Sequence, residues 1–361
     1  MSMDGVPGGT AARPVDRGAS SDDGPSFADR LLDAIRGLPL GGWWIYPVLI
    51  AFLWAWITGV RWLTGVATPD QIDLRVLAYF PYPVVALALL HYLDDVAEEA
   101  LGSFAPALGG DAAAMRAWRR RLTSLPSRPT VLAAIAGLAF GALAIVQLPP
   151  SIYRQVAPDL PTVVVLVGWQ ALAGFALGAV LLYQSWRQLS AVSAIHAAAT
   201  RIDPTKPEPL FSFARLTART GLAYLGIVYY SVVTNGPTYA GKPEVLALNI
   251  IFGSFAVACF VLPLRGMHRR LAVAKADLLA GVESRFARVT GTLYAAVDAD
   301  RLESMAEIDD AISSLTRVRA EVERLPTWPW SPALLRGFLT ALLLPIVIWL
   351  ITRVLENTLL A

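Results

Sequence analysis

The sequence predicts an all-α fold: a polytopic helical membrane protein with about seven transmembrane helices and a cytosolic antiparallel helical hairpin between the last two. Three observations carry this. Of the 361 residues, 55% are hydrophobic and 16% charged, with mean hydropathy +0.52, whereas soluble domains carry about 25% charged residues. The apolar residues fall in blocks of about twenty, the length that crosses a bilayer as a helix. Arginine and lysine keep to alternate connections, as they do in proteins whose short cytoplasmic loops hold the positive charge.

The blocks are residues 42–63, 74–93, 129–148, 161–184, 221–236, 244–264 and 332–351. With the N-terminus in the cytoplasm and every block spanning, only Arg61, Arg75, Arg154, Lys242 and Arg353 of the 30 basic residues fall outside. The fifth block is the shortest. Without it the basic segment that follows residue 264 would lie outside, against the charge rule. It is therefore kept as a span, which places the C-terminus outside a plasma membrane.

Residues 1–25, rich in Gly, Ser, Asp and Pro, read as a disordered tail and lack the apolar core of a signal peptide. Residues 26–40 read as an amphipathic helix capped by Ser26, with Phe27, Leu31, Ile35 and Leu38 on one face. Directly before a span, such a helix suits the bilayer interface or the protein's own cytoplasmic face. Residues 41–265 form a membrane domain of six spans with cytosolic helix extensions. In one extension, Leu189, Val192, Ile195, Ala199 and Ile202 share a face. In another, Met115, Trp118, Leu122 and Leu125 oppose Arg116, Arg119, Arg120 and Arg121, a basic amphipathic helix suited to anionic lipid, unless its charge only sets the topology. Trp118, Arg119 and Arg120 are the expected interface anchors there.

Residues 266–326 are charged yet periodic. Leu278, Val282, Phe286, Val289 and Leu293 recur at steps of three and four, as do Ile308, Ile312, Leu315, Val318 and Val322 after residue 301. Two helices with a narrow apolar seam follow, and an antiparallel hairpin returns the chain to the membrane face it left. Leu278, Val282, Phe286 and Ile312 mark the seam as an interaction surface. Residues 327–361 hold an anchor and the last span. In "LPTWPWSP", residues 325–332, Pro326 and Pro329 stop the incoming helix, Trp328 and Trp330 suit the headgroup zone, and Pro332 opens the last span.

No charged residue or histidine sits at the centre of a block, which argues against ion-coupled transport. Mid-block polarity is confined to Gln170, Asn249, Ser254 and the group Tyr229, Tyr230 and Ser231. Gly137–Gly141 and Gly174–Gly178 have the small-xxx-small spacing of close helix packing. The ionisable cluster is "HYLDDVAEE", where His91, Asp94, Asp95 and Glu98 share a helical face. Of these, His91, Asp95 and Glu98 are the metal candidates weighed. The acidic groups otherwise are solvated or pair with the arginines at 116–121.

One cysteine, Cys259, excludes a disulfide framework. "GPTYAGKP" lacks the Ser or Thr that a phosphate loop needs after its lysine. No enzyme signature and no cofactor motif is present, and no metal site is assigned. The implied partners are the lipid bilayer, a second copy of the chain or a cytosolic protein, and not nucleic acid. The expectation is a non-enzymatic scaffold or signalling module acting through the hairpin. The alternative is an oligomeric channel or uncoupled transporter.

Overall fold

The structure, a computed structural model, describes residues 24–70, 81–109, 112–147, 150, 154–199, 211–240, 243–299 and 305–359. Its elements are helical, and among the described residues the one β-type contact is an isolated bridge between Pro25 and Pro126. In chain order the helices are α1 (Phe27–Arg36), α2 (Ile45–Leu63), α3 (Tyr82–Leu108), α4 (Ala112–Thr123), α5 (Ser127–Val146), α6 (Leu160–Leu166) and α7 (Gly168–Ala198). There follow α8 (Ser212–Ala240), α9 (Pro243–Val261), α10 (Arg265–Asp298), α11 (Met305–Arg324) and α12 (Pro332–Leu359).

Among the described residues, three helices are long and apolar enough to cross a membrane: Ile45–Leu63, Ser127–Val146 and the run from Asn249. The bent pair α6–α7, with 63° between its halves, makes a fourth if it counts as one. The other expected blocks do not reach that measure over the described residues. α3 turns acidic after Leu93, and residues 71–80 before it lie outside the described residues. α8 opens with Arg215 and Arg219, and α12 is apolar over Pro332–Leu344.

α3 and α7 are the central pair. α5 closes on α7 because Gly137 and Gly141 have no side chain to hold it off. A Cβ on Gly137 would lie 2.9 Å from Ala176 Cα, and one on Gly141 would lie 2.7 Å from the Phe175 ring. The first small-residue pair thus packs internally, as expected. In the second pair, Gly174 admits Tyr82 and Pro83 of α3, while Gly178 has open space beside it.

The apolar interior has three parts. The largest joins α1, α2, α3, α5, α7, α8, α9 and α12 around Leu90, Val180, Tyr224 and Phe260. A small one at one end gathers Ile57, Val60, Ala157, Val163 and Val167. The third joins the two expected helix extensions, through Trp118, Leu122 and Ile195, to the second half of α3 (Ala97, Phe104), the start of α8 (Phe213, Leu216) and the start of α10 (Met267). His196 lies within it, edge-on to Phe104 and Phe213. Burial pushes its pKa down to about 4, so it is a neutral core residue at pH 7.

Two sequence expectations change. Trp118 was expected at the headgroups, but it is only 4% exposed, inside that third core. The arginines of α4 keep to its outer face, and Arg121 covers the Trp118 ring at 5.5 Å. In α1 the buried side chains are Ala28, Leu32 and Ile35, while Leu31 faces out. The buried face of α1 thus runs through Ala28 and Leu32 rather than Leu31, and it packs on the protein itself, one of the two placements its sequence allowed. Its Ser26–Asp29 capping box is complete, and the same Asp29 carboxylate accepts from Leu125 N at 3.0 Å.

Candidate functional site

The acidic run of α3 separates by helical geometry. Asp94 turns into the bundle, where it is 1% exposed. Its Oδ1 accepts from Gln184 Nε2 at 2.6 Å and from Gln188 Nε2 at 3.0 Å. These glutamines stand one turn apart on α7, so one helix face delivers both amides. Asp94 Oδ2 accepts from Arg36 Nη2 at 3.3 Å, at the end of α1. One carboxylate therefore ties α1, α3 and α7 together. Burial raises the Asp94 carboxyl to about 7, against the opposing pull of Arg36 and the Gln184 hydrogen bond.

A second carboxylate lies close by. Burial also raises Asp29, opposed by its hydrogen bonds from Leu125 and Ser26. Arg187 of α7 is within electrostatic range of Asp29, Asp94 and Arg121, and burial lowers its pKa. Its buried Nη1 makes no hydrogen bond. Charge of both signs is thus concentrated where three helices and the α4–α5 corner meet.

His91, one turn before Asp94 on α3, meets the start of α2. Its Nδ1 is 2.9 Å from the Tyr46 hydroxyl, its Nε2 is 3.6 Å from Asp95, and Trp43 stacks on its ring at 4.5 Å. Arg36 also reaches Asp95 at 3.6 Å and Asp33 at 3.8 Å. Glu98 points away and takes Arg119 through bonds of 2.8–3.0 Å. The three metal candidates, His91, Asp95 and Glu98, therefore do not converge. Among the described residues no three His, Cys, Asp or Glu side chains come together as a metal cage requires. Of the acidic groups expected to be solvated or paired, Glu98 pairs and Asp94 is buried. Arg120 is exposed on α4.

The Trp–Pro segment is fastened rather than free. His268, Trp328, Trp330, Phe260 and Phe338 form a continuous ring stack with centroid spacings of 4.0, 4.4, 4.9 and 4.1 Å. Trp328 and Trp330 are half-buried within it. α10 is fixed at its base by two cations that cap neighbouring helices. Arg270 donates to the carbonyls of His196, Ala197 and Ala199 at 2.7–2.9 Å, closing the C-terminus of α7. Lys275 donates to the carbonyls of Glu323 and Leu325 at 2.6 and 3.0 Å, closing the end of α11. A cation at a helix C-terminus satisfies orphan carbonyls and meets the negative end of the dipole.

Along α10 and α11, Val282 is buried together with Ile308 and Val322, Phe286 and Ile312 are half-buried, and Leu278 is 38% exposed. Tyr294, Val297, Val273 and Val318 are exposed.

Gln184, Gln188 and Arg36 escaped the sequence reading. The i, i+4 glutamine pair in an apolar helix was the available signal, since two amides on one face need a shared partner. Gln170, in the first turn of α7 after the bend, is 1% exposed, and neither side-chain amide atom has a hydrogen-bond partner.

No protein-family model, curated protein or solved structure matches this chain significantly.

Proposed function

We propose that the chain is a multi-pass plasma-membrane protein, non-enzymatic, that presents α10 and α11 to the cytosol as an interaction limb. It acts as a scaffold or signalling module. The observation that carries this reading is the contrast within the limb. Its base is held by Arg270, Lys275 and the stacked rings. Beyond the base, Leu278, Tyr294, Val297 and Val318 stay exposed on otherwise charged helices. A limb fixed at one end with apolar side chains left outside is suited to receive a partner.

The test separates seam from surface. Leu278→Glu changes an exposed position and is expected to shift native mass in nanodiscs, or abolish partner capture, while the helix content stays. Val282→Glu buries a charge and is expected to unfold the limb. If Leu278→Glu alters neither assembly nor capture, the limb is only internal structure.

A second reading, a channel or uncoupled transporter, is favoured by one feature. The break between α6 and α7, with the buried and unpartnered Gln170 beside it, resembles the interrupted helices that line polar paths. Solute or ion flux in liposomes that Gln170→Leu alters would support this reading over the scaffold.

A further inference from the structure

A lateral groove of about 660 Å³ lies between α2 and α3, lined by Trp43, Tyr46, Pro47, Ile50, Trp54 and Ala88 among others. Its lining side chains are apolar apart from the Tyr46 hydroxyl and the indole nitrogens of Trp43 and Trp54. From Trp43 to Trp54 the groove follows α2 for about 17 Å at the helical rise. That is about half of a hydrocarbon core of about 30 Å, the depth of one leaflet. An acyl chain fits both its length and its chemistry.

The end of the groove at Trp43 and Tyr46 adjoins charge. Arg36 and Asp95 both act electrostatically on the Tyr46 phenol, and Tyr46 and Trp43 both contact His91. Asp95 is about half exposed and Arg36 about one third. Arg36 is the cation for three carboxylates within 4 Å: Asp33, Asp94 and Asp95. With that excess of negative charge, an anionic headgroup is disfavoured. A headgroup carrying both charges is matched. Its phosphate is matched by the partly exposed Arg36 guanidinium, and an ammonium by the half-exposed Asp95 carboxylate. A primary ammonium donates hydrogen bonds to that carboxylate, and a quaternary one cannot.

We infer that this groove is a binding site for one zwitterionic aminophospholipid, its chain along α2 and its primary ammonium on Asp95. The inference rests on the reading of α2 as a span. An occupant here touches Arg36 directly, and Arg36 holds the buried Asp94.

The experiment uses the full chain in vesicles of phosphatidylethanolamine, phosphatidylcholine and phosphatidylglycerol in equal amounts with identical chains. Native mass spectrometry during stepwise delipidation counts the lipids retained. One phosphatidylethanolamine is expected to survive longest, preferred about tenfold over the other two, the scale of one charged hydrogen bond. Ala51→Phe, on the exposed face of α2, and Ala88→Leu, on the opposite wall, are expected to lose it. Asp95→Asn is expected to retain a lipid but erase the preference. Equal retention of all three, preference for phosphatidylglycerol, or unchanged retention in both groove-filling variants overturns the inference. Carbonate extraction of the same vesicles separates the two readings. Protein that stays with the membrane but keeps no lipid refutes the site alone, and protein that washes off refutes the span and the site together.

Discussion

Asp94 is the residue with the sharpest consequence. Its carboxyl is raised by burial to about 7 from an ordinary 3.8. Between those values the folded chain holds a proton that the unfolded chain has released. Stability therefore falls as pH rises through that window and levels off above it. The hydrogen bond to Arg36 gains full charge only at the upper end. Asp94→Asn, which has no proton to lose, is expected to flatten this part of the profile. Thermal unfolding of both proteins at pH 4–8 measures the difference, and parallel profiles would contradict it. Gly137 gives a second test at this scale. Its missing Cβ lets Ala176 and Ala179 of α7 approach to 2.9 Å of that position. Gly137→Leu is expected to cost about 1–3 kcal/mol by overpacking, whereas Gly178→Ala, with nothing near it, is expected to be neutral. The glycine spacing was legible in the sequence, but that both members of the first pair bear a contact and only Gly174 of the second does was not. That depends on how α7 is rotated against α5 and α3, and periodicity does not encode it.

At the scale of elements, helix positions were mostly legible because their punctuation is local. Ser26 opens α1 and Pro332 opens α12, as their backbone preferences require. Which way a helix turns its apolar face was less legible. α4 has an apolar stripe that suits lipid equally well as protein, and the structure gives Trp118 and Leu122 to the interior. A stripe states that something apolar covers it and is silent on what. The fastening of α10 was also hidden, since Arg270 and Lys275 are two cations among many in the sequence and acquire partners only through the fold. Arg270→Ala removes three charge-assisted bonds from the end of α7. It is expected to cost about 1–2 kcal/mol and to speed hydrogen exchange in the last turn of α7 and the first turns of α10. Exchange unchanged in both would show that the aromatic stack alone fixes the limb.

At the scale of the molecule, the chain divides into an apolar bundle, a polar junction and a limb. The junction gathers Asp29, Arg36, Asp94, Gln184, Gln188 and Arg187 where α1, α3 and α7 meet. Beyond it the helix extensions form a core of their own. In the sequence the stretches around Trp118 and Ile195 were separate amphipathic extensions. Their union was not legible, because the residues that meet, such as Phe104, Ile195 and Met267, lie far apart along the chain. Apolar spanning helices were foreshadowed by block length, and three helices among the described residues reach spanning length and apolarity.

The central claim is that the limb and the N-terminal helix face the same side of a membrane crossed several times. Side-specific cysteine labelling tests it most directly. In a Cys259→Ala background, single cysteines at Asp33, Asp310 and Thr68 are exposed to a membrane-impermeant maleimide in sealed vesicles of known orientation. The account predicts that Asp33→Cys and Asp310→Cys label from the cytosolic side and Thr68→Cys from the opposite side. Labelling of Asp310→Cys together with Thr68→Cys, and apart from Asp33→Cys, would contradict it.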